Sequence, residues 1–161
     1  MFMAGQPAAV RLPVTGRGGT MLEAAAGVGA ALVGGFYLVF GMTVMPALRR
    51  RPAREAEAAM VAINEQAVRA PFMVLFFGTA LACAGTITLQ FFLSSGGSGV
   101  LILGSVCYLA GWALTMAVNV PLNSRLDRST VDWSGFERPW RGANLTRALL
   151  SVAGSILLLQ G

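Results

Sequence analysis

Four long apolar stretches alternate with short polar segments along the chain. They lie at about residues 22–48, 72–93, 100–120 and 144–160. The first three contain about 20 residues or more, the length that an α-helix needs to cross ~30 Å of hydrocarbon; the fourth is shorter. The pattern predicts an all-α fold, a bundle of four transmembrane helices.

The polar segment between the first two spans has the features of a helix. Pro52 suits a first helical position, and Glu55 and Glu57 in the first turns suit the positive end of the helix dipole. Pro71 marks the start of the next element. We predict an amphipathic helix in the loop between spans 1 and 2.

The chain before the first span is rich in glycine and proline. We expect residues 1–20 to form a flexible tail, because they lack the compact apolar core of a signal peptide. Residues 21–161 are then a single four-helix membrane domain. In span 1, the small-residue pairs Ala30/Gly34 and Ala31/Gly35 are typical of helices whose backbones approach closely.

Composition places these spans in a membrane. The chain is 55% hydrophobic and 12% charged, whereas soluble domains carry about 25% charged residues. Mean hydropathy is +0.66. The net charge is +5 and every basic residue is arginine. Because these arginines flank the apolar spans, they indicate contact with membrane lipid and not with nucleic acid.

The distribution of arginines predicts the orientation of a multi-pass protein in the cell membrane. One side of the four spans carries only Arg11 and Arg17. By the positive-inside rule, we expect the two arginine-rich loops in the cytoplasm and both termini outside. The loop arginines are Arg49, Arg50, Arg51, Arg54, Arg69, Arg125, Arg128, Arg138 and Arg141.

Histidine is absent, which removes the commonest protein ligand for haem, copper and non-haem iron. We therefore expect no cofactor and no metal. Cys83 and Cys107 both fall inside predicted spans at similar depth. They could form a disulfide, or they could be two small buried side chains.

Polar residues recur on one face of each later span. A polar stripe on a membrane helix should turn towards the bundle interior. In span 2 the stripe is Phe72, Phe76, Thr79, Cys83, Thr86 and Gln90. In span 3 it is Tyr108, Trp112, Met116, Asn119 and Asn123, and in span 4 it is Asn144, Arg147, Ser151 and Ser155.

The two asparagines around Pro121 are the most informative residues. Asn119 and Asn123 share one face if the helix continues through Pro121. A carboxamide facing lipid would cost roughly several kcal/mol, so both should face protein or a water-filled recess. Arg147 has two alternatives: it could snorkel to the headgroups or turn inward towards these amides.

Further polar and aromatic residues fall at the same ends of the spans. Asn64 and Asn144 are expected near the cytoplasmic interface, together with the asparagines of span 3. Trp133 and Trp140 could be interfacial anchors or the lid of a pocket. The topology thus collects one polar cluster on one side of the membrane.

These residues, in this order between four spans, resemble the DUF1772 family, also called anthrone-oxygenase-like. The matching pieces are Met45-Pro-Ala-Leu48, Ile63-Asn64, Asn119-Val-Pro-Leu-Asn123, and the series Trp133, Trp140, Asn144 and Arg147. The resemblance runs from the first span to the start of the fourth. It implies a four-helix membrane protein, and characterised fungal members oxidise anthrones to anthraquinones.

One hypothesis for function is a cofactor-independent oxygenase of flat phenolic, polyketide-like substrates. Asn119, Asn123 and Arg147 would be the catalytic residues that stabilise an enolate. The base could be Glu65, Asp127 or Asp132. Tyr108, Trp112 and Trp133 would form an apolar slot, and the full set of substrate-binding residues would be Asn64, Tyr108, Trp112, Trp133, Trp140 and Asn144.

The alternative is a non-catalytic membrane protein that binds a lipid, a quinone or a partner subunit in the same cavity. The polar cluster would then consist of ordinary interhelical hydrogen bonds, worth about 0.6 kcal/mol each. The partners that fit are a small apolar aromatic ligand, membrane lipid, a second copy of the chain or another subunit of a membrane complex. A small transporter is a third, weaker option, because Thr79, Thr86 and Gln90 carry no charge.

Overall fold

The fold is given by a computed structural model that describes residues 17–92 and 97–161, with side chains from residue 21 onward. Most of the expected tail and residues 93–96 between spans 2 and 3 lie outside the described residues. Within the described ranges the secondary structure is helical and no strand occurs. The all-α prediction is confirmed.

The described chain forms five helices, which we number α1 to α5. Their bounds are Arg17–Val39 continued by Phe40–Val44 and Met45–Leu48 (α1), Ala53–Ala67 (α2), Ala70–Phe92 (α3), Gly99–Leu114 continued by Thr115–Asn119 and Val120–Asp127 (α4), and Trp133–Gln160 (α5). All except α2 are long and apolar enough to cross a membrane. The chain is therefore a multi-pass membrane protein, and α2 is the expected loop helix, with Pro52 as its N-cap residue and not its first helical residue.

Two proline residues explain a widened turn in α1 and another in α4. Pro46 and Pro121 have no N–H to donate, and each ring would clash with the carbonyl four residues earlier. In both helices the residue before the proline donates to the carbonyl five residues back, Met45 to Phe40 and Val120 to Thr115. These π turns let the helix continue through the proline.

The fourth spanning helix, α5, begins at Trp133, well before the expected start near residue 144. Its polar first turns are helical because two carboxylates hold the N-terminus: Asp132 accepts from the N–H of Gly135 at 2.9 Å, and Glu57 accepts from the N–H of Trp133 at 2.8 Å. The first turns also contribute apolar side chains to a cluster with α1 and α2. Arg147 therefore lies about four turns into the helix.

The packing of α1 confirms one of the two small-residue pairs and not the other. Ala30 and Gly34 are buried, and a Cβ added at Gly34 would lie 3.2 Å from Ser151 on α5. Ala31 is exposed, and Gly35 has nothing within 4 Å of an added Cβ. The second pair thus faces away from the bundle, since one helix face cannot hold both.

The predicted polar stripes of α3 and α5 are turned inward. Thr79, Thr86 and Gln90 are buried on α3, and the whole predicted stripe of α5 is at most 7% exposed. On α4 the π turn changes the register, so that Thr115 is buried where Met116 was expected and Met116 is 40% exposed. Both cysteines, Cys83 and Cys107, are free.

Candidate functional site: a cavity around a buried arginine

A cavity of about 470 Å³ lies at the end of the bundle where α1 and α4 finish and α3 and α5 begin. We call this end the arginine-rich end, because both arginine-rich loops are there. All five helices contribute to the cavity wall. The lining residues are Phe36, Tyr37, Phe40, Val61, Asn64, Glu65, Ala67, Val68, Phe72, Met73, Phe76, Phe77, Thr115, Met116, Asn119, Val120, Asn123, Ser124, Asp127, Trp140 and Arg147.

Arg147 is the buried cation of the cavity. Its side chain turns inward and the residue is 7% exposed, so the snorkelling alternative is wrong. The guanidinium carbon lies 4.0 Å from the ring centre of Tyr37 and 5.3 Å from that of Trp140, distances at which a cation is attracted to an aromatic face. In the described part of the chain, no carboxylate pairs with it.

Neutral oxygens hold the guanidinium in place. Asn144 Oδ1 accepts from Arg147 Nε at 3.2 Å and from Nη2 at 2.9 Å, and Thr115 Oγ1 accepts from Nη1 at 3.3 Å. Three of the five N–H donors of the guanidinium are therefore used by protein. The Tyr37 hydroxyl is a further hydrogen-bond partner of Arg147, so the donors that remain, together with a full positive charge, are what this residue can offer to a ligand.

Further hydrogen bonds to backbone carbonyls hold Asn144 and Thr115 in place. Asn144 Nδ2 donates to the backbone carbonyl of Tyr37 at 2.9 Å, and Thr115 Oγ1 donates to the carbonyl of Gly111 at 2.9 Å. The Tyr37 hydroxyl lies 3.5 Å from Thr115 Oγ1. Asn144 does not line the cavity; it positions Arg147 against α1 instead of contacting a ligand directly.

The two asparagines of α4 meet the same tryptophan of α5. Asn119 Nδ2 donates to the Trp140 carbonyl at 3.4 Å, and Asn123 Oδ1 accepts from Trp140 Nε1 at 2.8 Å. The helix therefore presents both amides on one face, as expected from their spacing. Neither is hydrogen-bonded to Arg147, and Asn119 Oδ1 is buried with no partner among the described residues.

The apolar wall is built from phenylalanines of α1 and α3. Phe36 and Phe72 have ring centres 4.5 Å apart, Phe36 and Phe40 5.0 Å, and Phe72 and Phe76 5.9 Å. Phe40 in turn packs on Trp140 at 5.8 Å. These rings give the cavity an aromatic lining beside the buried charge.

The slot expected from Tyr108, Trp112 and Trp133 is not where the cavity lies. Tyr108 is fully buried and donates its hydroxyl to the Phe76 carbonyl at 3.0 Å, and Trp112 stacks on Phe76 with ring centres 6.2 Å apart. Trp133 packs on Phe136 in the apolar cluster near α2. Tyr108 and Trp112 precede the π turn and pack against α3, and the early start of α5 places Trp133 near α2, so none of these three rings lines the cavity.

Acidic groups lie at the cavity edge. Of the three candidate bases, Glu65 and Asp127 line the cavity. Asp132 instead caps α5, and hydrogen bonds from the Gly135 N–H and the Ser134 hydroxyl hold its pKa below the ordinary value. Asn64 also lines the cavity, and its Nδ2 has no partner in the described residues.

Sequence reasoning missed Tyr37 and Thr115, which complete the surroundings of Arg147. Tyr37 continues the buried face of α1 that contains Ala30 and Val33, so the spacing of small residues would have placed it inside. Thr115 carries the only polar side chain between Trp112 and Asn119 in span 3. The sequence pattern could have placed both side chains in the bundle interior, but it could not have placed them beside Arg147.

A family model described as anthrone oxygenase matches residues 72–157 of the 161-residue chain, which covers α3, α4 and most of α5. The chain belongs to the anthrone oxygenase family. The match includes both asparagines of α4, Trp140 and Arg147. No curated protein and no solved structure matches the chain.

Proposed function

We propose that this member of the anthrone oxygenase family oxidises a flat phenolic molecule bound in the cavity, without a cofactor. The observation that carries the proposal is Arg147, a buried cation with no carboxylate partner in the described residues, beside an aromatic wall. Burying an unpaired charge costs several kcal/mol, so such a residue is best explained by an anionic ligand. The cavity volume of about 470 Å³ is typical of small-molecule sites.

The polar groups suit two different oxygens of one ligand. Arg147 has N–H groups that Asn144 and Thr115 do not use, which can meet a phenolate or enolate oxygen, and Asn123 has its amide NH₂, since only its Oδ1 is used by Trp140. Asn119 has the opposite character, because its amide donates to protein and its unpaired Oδ1 can only accept. It therefore fits a neutral hydroxyl of the ligand.

In the proposed reaction, the substrate loses a proton before it reacts with O₂. A carboxylate at the cavity edge, Glu65 or Asp127, takes a proton from the activated CH₂ of an anthrone, directly or through water. Arg147 stabilises the enolate that forms. The carbanion adds O₂ to give a peroxide, which loses water to leave a quinone carbonyl, so that CH₂ and O₂ become C=O and H₂O.

Oxygen uptake with 9-anthrone as substrate tests this proposal. We expect purified protein in lipid vesicles to consume one O₂ for each anthraquinone formed. Arg147→Gln should lower kcat/KM by about 10²–10³, the usual loss when an oxyanion donor is removed. Arg125→Gln removes an exposed arginine of α4 and should not change the rate. Equal rates in wild type, both variants and protein-free vesicles would refute the proposal.

The second candidate is a non-catalytic binder of an apolar aromatic ligand or quinone. It is favoured by the amides of Asn123 and Asn144, which bond to Trp140 and Tyr37 and so hold helices together. Under this alternative, Arg147→Gln would abolish binding of the stable product analogue 1,8-dihydroxyanthraquinone, while 9-anthrone oxidation would stay at the rate of protein-free vesicles.

We also propose that the arginine-rich end lies in the cytoplasm. This end exposes eight arginines: Arg49, Arg50, Arg51, Arg54, Arg69, Arg125, Arg128 and Arg138. Such clusters are retained on the cytoplasmic side during insertion and favour anionic lipid headgroups. A cysteine introduced at Arg128 should react with a membrane-impermeant maleimide only after spheroplasts are lysed. Reaction in intact spheroplasts would reverse the orientation.

A further inference from the structure

The cavity reaches the lipid-facing flank of the bundle as well as its polar end. Four of its lining residues are large, apolar and exposed: Val68 is 67% exposed, Phe77 41%, Met116 40% and Val120 41%. Phe77 lies on α3, whereas Met116 and Val120 lie on α4. Two opposing walls of the cavity therefore end in apolar side chains on the outer surface.

An opening between α3 and α4 explains this exposure. The two helices are joined at the level of Tyr108, whose hydroxyl bonds to the Phe76 carbonyl at 3.0 Å, and at Phe77 and Trp112, whose ring centres are 6.0 Å apart. Nearer the arginine-rich end, α3 packs against α1, and it makes no comparable packing with the π turn of α4. The π turn thus forms the far edge of a slot.

The two edges of the cavity differ in polarity. Towards the loops the edge carries Glu65, Ser124 and Asp127, whereas the slot is bordered by Phe77, Met116 and Val120. Exposing apolar surface to water costs about 25 cal/mol per Å², and this flank belongs to helices long and apolar enough to span a membrane. The slot therefore faces acyl chains and the polar edge faces headgroups or water.

We propose that the cavity takes its ligand sideways from the bilayer, through the slot between Phe77 on α3 and Met116 and Val120 on α4. The ligand is a flat, apolar molecule dissolved among the acyl chains, and its polar group meets Arg147 only after entry. The inference rests on the cavity and its apolar edge, and it holds whether or not the bound molecule is oxidised.

Photolabelling from the bilayer tests the slot. Protein in lipid vesicles is irradiated with the membrane-dissolved probe 3-trifluoromethyl-3-phenyldiazirine, and labelled residues are mapped by mass spectrometry. We expect label on Tyr37 and Trp140, which are only 2% exposed and out of reach of lipid. Val120→Trp and Met116→Trp should each lose this interior label, because an indole closes the slot, whereas Phe77→Ala should increase it.

Two matched variants separate the slot from other routes. Ser124→Trp adds the same bulk at the polar edge, and Leu81→Trp adds it on α3 at a position that is 74% exposed and outside the cavity. Both should keep the interior label. Only variants whose melting temperature equals that of the wild type are compared. Val120, Met116 and Phe77 provide three independent substitutions.

The proposal is overturned if wild-type protein carries label only on its outer surface. It is also overturned if Ser124→Trp removes the interior label while the Val120 and Met116 variants keep it, since entry would then use the polar edge. The readout needs no turnover. An inactive protein that is labelled inside would therefore contradict the proposed oxygenase function and leave the slot standing.

Discussion

The two ends of the bundle use their interiors in opposite ways. Away from the arginine-rich end, α4 and α5 meet backbone to backbone: a Cβ added at Gly154 would lie 2.7 Å from the carbonyl oxygen of Gly104. At the arginine-rich end, α3 makes no comparable packing with the π turn of α4, and rings of α1 and α3 line the cavity. The first arrangement leaves no room for a ligand, and the second creates the room.

The two ends of the bundle also differ in how their buried polar groups find hydrogen-bond partners. A threonine in a helix can satisfy its hydroxyl locally, as Thr79 does by donating to the Leu75 carbonyl at 2.7 Å. A guanidinium has too many donors for that, so Arg147 depends on Asn144, Thr115 and two aromatic faces. The buried hydroxyls away from the cavity are small and neutral, and Thr86 Oγ1 is left without a partner in the described residues, whereas the cavity end is organised around one charged group.

The largest effect on stability is expected from filling the packed end. Gly154→Ala puts a methyl group 2.7 Å from a backbone oxygen of the facing helix, and backbone cannot rotate away as a side chain can. Overpacking of this kind costs about 1–3 kcal/mol. The melting temperature in detergent should fall, as measured by circular dichroism.

Gly35→Ala on α1 is the matched control. An added Cβ there has nothing within 4 Å, and alanine is about 1 kcal/mol more favourable than glycine inside a helix. We expect its melting temperature to be unchanged or raised. If both alanine variants melted alike, close helix contact at Gly154 would not be what stabilises this end.

A smaller but more informative effect is expected from the two asparagines of the cavity end. Asn123→Leu removes the acceptor of Trp140 Nε1, and a buried donor left unpaired costs about 1–3 kcal/mol. Asn119→Leu removes an acceptor that has no partner and a long 3.4 Å bond, so the free energy of unfolding should hardly change. Chemical unfolding in mixed micelles measures both.

Ligand affinity should show the reverse order if Asn119 meets a ligand hydroxyl. Binding of 1,8-dihydroxyanthraquinone, followed by quenching of tryptophan fluorescence, should therefore weaken more in Asn119→Leu than in Asn123→Leu. A variant that loses stability but keeps its affinity would mark Asn119 as a purely structural residue, like the hydroxyls of the packed end.

The fold was predictable from sequence because its main determinant, the apolar pattern, is local. The number of spans, the loop helix and the inward stripes of α3 and α5 follow from hydropathy and the helical period. The start of α5 was not predictable, since it depends on Glu57, a residue of another helix that bonds to the Trp133 N–H. Hydropathy alone cannot distinguish a polar loop from a capped polar helix start.

Sequence reasoning predicted which residues form the site better than it predicted their contacts. Asn119, Asn123, Trp140 and Arg147 were all expected in one cluster, and all line the cavity. Their partners depend on the π turn of α4, which shifts register and puts Thr115 beside Arg147. Tyr37 also required the packing of α1 on α5. Such contacts join residues far apart in sequence, which no local pattern encodes.

The smallest effect is expected at Asp132, where α5 begins at the cavity end. Its folded-state pKa lies below the ordinary carboxyl value because the ionised form accepts from the Gly135 N–H and the Ser134 hydroxyl. The stabilisation is therefore complete above the unfolded pKa of about 3.9 and is lost as pH falls through the folded pKa. Asp132→Asn keeps a capping oxygen without the charge, so its melting temperature should vary less with pH below 4.5 than that of the wild type. Parallel pH profiles would mean that Glu57 alone holds the N-terminus, and the cavity end would then depend on the loop helix for its first turn.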